Sequence, residues 1–119
     1  MDIENQGMCK ELSIDMYVAL YTTVSNLDDA KQFGHLLVKK KLVACVNIIP
    51  RVLSIYSWKG QIEEESEVIL WCKTQKHLLE KIQNEFQTSH PYELPAFAVY
   101  PIEAGSDEYL KWITEVTIS

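Results

Sequence analysis

Histidine, cysteine and clustered glutamate are the side chains in this sequence best able to hold a metal, and their spacing is unpromising. His35, His77 and His90 include no pair at i+3 or i+4, whereas a transition-metal site wants imidazole, thiolate or carboxylate groups converging from a fixed backbone. Cys9, Cys45 and Cys72 are an odd number without a CxxC pair, so neither a zinc knuckle nor a disulfide framework is indicated. Cys45 and Cys72 stand among apolar neighbours, where burial makes a thiol inert. Cys9 is the thiol expected to oxidise or alkylate most easily. Glu63, Glu64, Glu65 and Glu67 could gather cations, but a hard-cation site needs converging oxygens and alternate strand residues diverge; a solvated hairpin tip is the simpler reading.

A second group suits a polar cleft. Tyr92 stands between His90 and Glu93, while Glu67 and Lys73 lie where an intersubunit ion pair or a cleft wall is expected. The plain alternative for His90 is a residue held extended by Pro91 and positioned by a hydrogen bond. Tyr56, Trp58, Trp71, Tyr92 and Trp112 read first as packing anchors. No GxGxxG, Walker A, GxSxG or HExxH sequence is present, so dinucleotide, P-loop, nucleophile-elbow and zincin chemistry have no support. The expectation is a protein that is not an enzyme; a catalytic cleft of His90, Tyr92, Glu93 and Lys73 ranks last.

The elements that position these residues follow from periodicity. Residues 1–15 show no apolar period and predict a mobile tail, with one domain over 16–119. Tyr17 to Val24 is β-branched and aromatic, a strand. Ser25 or Asn26 can cap a helix running to about Lys41, with Leu27, Ala30, Phe33, Leu37 and Val38 at helical spacing. Val43 to Trp58 predicts a long strand bent near Pro50, and Lys59-Gly60 reverses it into a second strand, Ile62 to Lys73. Thr74 is expected to cap a helix with Leu78, Leu79, Ile82 and Phe86 on its apolar face, ending near Ser89. Ala96 to Tyr100 reads as a strand, and Ser106 opens a short last helix.

This order is the α+β, ferredoxin-like βαββαβ sandwich with a long β-hairpin and a short C-terminal helix. Both main helices then lie on one sheet face. Yet Tyr17 to Tyr21, Val68 to Cys72 and Ala96 to Tyr100 are apolar at both parities, so the other face needs a cover. Another copy of the chain, reached by the overlong hairpin, is the economical one. The competing cover is the closing helix in a monomer.

Charge and composition narrow the partners. The net charge of −6 argues against nucleic acid and anionic lipid, which need dense Lys and Arg. Lys39, Lys40 and Lys41 close a helix, where cations offset its dipole. With no signal peptide, transit peptide or run of about 20 apolar residues, the expected location is the cytoplasm, with no membrane span.

Several blocks together resemble the CutA divalent-cation tolerance family: residues 41–50 (KLVACVNIIP), 54–68 (SIYSWKGQIEEESEV), Lys73-Thr74, His90-Pro91-Tyr92-Glu93 and Tyr109-Leu110-Lys111-Trp112. The likeness runs from about Tyr17 to Val116. It implies a homotrimer of ferredoxin-like subunits with sheets facing inward and hairpins pairing between subunits. It also implies a role in divalent-cation, chiefly copper, tolerance or response, with weak binding of copper(II); animal members are associated with membrane anchoring of acetylcholinesterase. The Cys and two adjacent His proposed as copper ligands in bacterial members fall at Tyr21, Ser89 and His90, so His90 alone keeps a ligand. The architecture resembles the PII trimers as well, which makes a sensor or scaffold binding a small ligand or partner protein between subunits the alternative. Tyr21, Trp58, Glu67, Lys73, Ser89, Tyr92 and Glu93 are then the candidate cleft or interface residues.

Overall fold

A computed structural model describes residues 16–119. The expected tail, residues 1–15, and Cys9 lie outside the described residues. The elements are β1 (Tyr17–Val24), α1 (Leu27–Lys39), β2 (Cys45–Trp58), β3 (Gln61–Gln75), α2 (Leu79–Ser89), β4 (Ala98–Pro101) and α3 (Asp107–Val116). The four strands form one antiparallel sheet in the order β2-β3-β1-β4, a mixed α+β architecture.

Local chemistry explains most boundaries. Asn26 caps α1, its side-chain oxygen accepting from the Asp29 amide at 2.7 Å, which satisfies one of the orphan donors of the first turn. The helix stops at Lys39, short of Lys41, because Lys41 turns into the left-handed region at φ 59°. Ser106 likewise caps α3 through the Tyr109 amide. At the hairpin tip Lys59 (φ 52°) and Gly60 (φ 81°) are both left-handed, the signature of a two-residue turn whose twist matches its strands. The bend predicted at Pro50 is a bulge: β2–β3 register shifts between Ile49 and Val52, with Arg51 at φ 61°.

The expected capping role of Thr74 is overturned. β1 pairs with β3 as far as Tyr17 opposite Gln75, so the ladder carries Thr74 inside the sheet, fully buried, where its hydroxyl donates to the Leu42 carbonyl at 2.6 Å. A single 3₁₀ turn, Lys76–Leu78, then leads into α2, which has no side-chain cap. β4 is shorter than predicted, because β1 pairs with it only from Tyr21–Ala98 to Val18–Pro101; the predicted stop, Pro101, is its last residue, on an edge where a missing N–H is tolerated.

Strand alternation sorts the side chains into two clusters. Leu20, Val24, Leu70 and Cys72 pack under Ala30, Phe33 and Leu37 of α1 and Ile82 and Phe86 of α2. On the other face Tyr17 and Ala44 pack under Leu110 and Ile113 of α3. The closing helix thus covers one end of the second face. Beyond it Trp71 lies edge-on to Tyr21 and tilted against Tyr100, with centroids 6.4 and 5.4 Å apart. Ile49 remains 47% exposed and Tyr100 48%.

Candidate functional site: an acidic, aromatic cleft beside the hairpin

Past the bulge, strand parity places Tyr56 and Trp58 of β2 on the same hairpin face as Glu63, Glu65 and Glu67 of β3, with Tyr56 opposite Glu63 and Val52 opposite Glu67. The segment between α2 and β4 returns alongside this face. Pro91 forbids further helix, and Tyr92, Glu93, Leu94 and Pro95 form the second wall of a cleft of about 730 Å³, floored by Thr23. The walls are tied by the Tyr92 hydroxyl, which donates to Glu67 Oε2 at 2.8 Å. Lost hydration, then the charges of Glu65, Glu63 and Glu67, raise the Tyr56 phenol. Lost hydration, then the bond to Glu67, then the charges of Glu67 and Glu65 hold the Tyr92 phenol well above the usual tyrosine range.

His90 stands behind this wall, buried at the end of α2. Its Nδ1 accepts the Tyr92 amide at 3.0 Å, and its Nε2 lies 3.0 Å from Thr22 Oγ1 on β1. An acceptor at Nδ1 fixes the neutral ring with its proton on Nε2. Phe33, Phe86 and Tyr92 surround it, with ring centroids 5.2 to 5.3 Å away. Desolvation keeps the imidazole below its ordinary pKa, a hydrogen bond to the Thr23 backbone acting in the opposite direction. Nδ1, the one nitrogen with a lone pair, is therefore engaged with protein.

Of the residues singled out from sequence, Trp58, Glu67, Tyr92 and Glu93 come together at this cleft. The other three do not line it. The Tyr21 phenol is raised by desolvation, then by the charges of Glu67 and Tyr100. Lys73 donates to Asn47 Oδ1 across the β2–β3 ladder. Ser89 donates to Glu85 Oε2 at 2.6 Å. No group of three His, Cys, Asp or Glu side chains is arranged to hold a metal among the described residues. Burial, then the neighbouring Cys45, pushes the Cys72 thiol up to about 12 against a lowering by Lys73, as expected for an inert core thiol.

Sequence reasoning treated Tyr56 as a packing anchor and Glu63 and Glu65 as a solvated tip. Their shared face follows from the Lys59-Gly60 turn, which sets Tyr56 opposite Glu63; their enclosure by residues 91–95 has no local signal. Among the described residues no helix is long and apolar enough to cross a membrane.

Residues 18–116 match the family described as CutA1 divalent ion tolerance protein. Protein CutA of Homo sapiens is 43% identical over 101 residues, which is 85% of this chain and 56% of that protein; the chain thus spans little more than half of that relative's length. The divalent-cation tolerance protein CutA of Thermus thermophilus is 39% identical over 95 residues, covering 80% of this chain and 92% of that protein. The crystal structure of CutA1 from Oryza sativa superposes with a TM-score of 0.85 at 31% identity, covering 90% of this chain and 98% of that one.

Proposed function

The chain belongs to the CutA1 divalent ion tolerance protein family, and from that membership we propose that it acts in divalent-cation tolerance as a cytoplasmic homotrimer of ferredoxin-like subunits, without catalysis. The observation that carries the cation part is the cleft, where Glu63, Glu65, Glu67 and Glu93 converge on one opening. None of the four has a lysine, arginine or histidine ion-pair partner among the described residues. Such a surface attracts cations without the converging ligands of a tight site.

Copper(II) is the metal the reading favours, with His90 as the imidazole beside the cleft. Coordination at Nδ1 must displace the Tyr92 amide, so binding is weak and reversible. Titration of Cu²⁺ into the wild type, His90→Ala and the pair Glu63→Gln/Glu65→Gln tests each part. Identical isotherms for wild type and His90→Ala remove His90 from the site.

The trimer is supported by a sheet edge that is unpaired among the described residues. β2 borders the sheet over 14 residues, and Leu53 and Ile55 on it are 62% and 61% exposed. An edge so long and apolar needs a partner strand. Light scattering over a range of concentrations checks this, and a monomer mass throughout defeats it.

A second reading is favoured by the size of the cleft. About 730 Å³ is the volume of a small-molecule site rather than an ion site, which suits a PII-like sensor whose ligand or partner sits between subunits. A native-mass screen against cell extract should retain such a ligand, and a clean apo trimer counts against it.

A further inference from the structure

Glu63, Glu65 and Glu67 alternate along β3 on one face of the hairpin. Residues two apart on a strand are separated by about 6.8 Å. That spacing is too wide for the three carboxylates to share one metal ion. It is close to the separation of nitrogens across a four-carbon chain, so a linear cation can set one ammonium against each carboxylate in turn.

The aromatic side chains complete the match. Tyr56, Trp58 and Tyr92 line the same cleft, giving apolar faces for methylenes and π faces for ammonium groups. Trp58 already holds one such group, since Lys59 Nζ lies 5.5 Å from its ring centre. Tyr92 donates to Glu67 Oε2, which orients that carboxylate while leaving it free lone pairs. A metal ion uses neither the row spacing nor the rings; an organic polycation uses both.

We propose that this cleft binds a linear aliphatic polyamine, with successive ammonium groups on Glu63, Glu65 and Glu67 and its methylenes against Tyr56, Trp58 and Tyr92. The inference rests on the small-ligand reading of the cleft and names its ligand class.

Spermidine titrated into the full-length chain at fixed ionic strength, followed by tryptophan fluorescence and calorimetry, tests it. Saturable binding is expected, weakened at least tenfold in Glu63→Gln/Glu65→Gln and in Trp58→Leu. The remote pair Glu80→Gln/Glu108→Gln, which removes equal charge, should bind as the wild type does. Loss of affinity by the same factor in both glutamate pairs would mean bulk attraction and overturn the proposal. In the wild type alone, four-carbon diamine should bind more tightly than Mg²⁺ at matched charge, and the reverse order overturns it independently of any variant. An outcome in which nucleotides or neutral metabolites bind saturably and spermidine does not sinks the polyamine while leaving the sensor reading intact.

Discussion

The Nε2 of His90 lies 3.0 Å from Oγ1 of Thr22 across a sequence separation of 68 residues, fastening the end of α2 to the middle of β1. The same ring receives the Tyr92 amide at Nδ1. One imidazole therefore joins the core to the segment that walls the cleft, and the neutral Nε2–H tautomer is the form that makes both bonds.

His90→Ala should be costly for that reason. It leaves the Thr22 hydroxyl and the Tyr92 amide without partners, and buried polar groups so orphaned cost about 1–3 kcal/mol each. It also removes ring contacts with Phe33 and Phe86. A loss of about 3 kcal/mol is expected in urea unfolding at fixed protein concentration; a loss below about 1 kcal/mol would mean that neither bond matters.

Acid should act through the same ring. Its folded pKa is depressed below the ordinary 6.5, chiefly by desolvation. The unfolded chain thus takes up the proton more readily than the folded one, and stability rises with pH in that window. The contribution is complete above 6.5 and is lost as pH falls from there through the folded value. Melting curves between neutral and mildly acid pH should show this decline in the wild type and a flatter one in His90→Gln.

Tyr92→Phe removes the tie between the cleft walls. The phenol is partly exposed, so solvent screening discounts its bond to Glu67, and a loss of about 1 kcal/mol is expected. Spectrophotometric titration supplies an independent check. The raised phenol should ionise late in the wild type, and that late phase should vanish in Tyr92→Phe.

Two glycines should respond to alanine with opposite signs. Gly60 sits at φ 81° in the hairpin turn, where alanine costs about 1 kcal/mol. Gly34 lies within α1, and a β-carbon there meets Val46 side-chain atoms at 3.5 Å, an ordinary contact. Gly34→Ala should therefore stabilise by up to about 1 kcal/mol through helix propensity. Thermal melts of the two variants at one concentration would show the contrast.

Much of the fold was legible because it is encoded locally. The polarity of Asn26 and Ser106 sets two helix starts, and Lys59-Gly60 sets the hairpin turn. β-branched and aromatic content marked Tyr17–Val24 as a strand, and apolar residues at both parities in its first half pointed to burial on both faces. The site was less legible. Thr74 resembles a helix cap in isolation, and only pairing of β1 with β3 makes it a core residue.

The sequence by itself determined the order of elements, the acidic surplus on the second hairpin strand and the family, since these depend on composition, period and short motifs. The tertiary structure alone decided that residues 91–95 wall the acids and rings of the hairpin into one cleft, that Tyr92 closes on Glu67, and that His90 is committed to Thr22 and Tyr92. The physical reason is sequence separation: turn chemistry and strand period act over a few residues, whereas Thr22 and His90 lie 68 residues apart and Glu67 and Tyr92 lie 25 apart, so only the packing of the segment after α2 against the sheet brings them together.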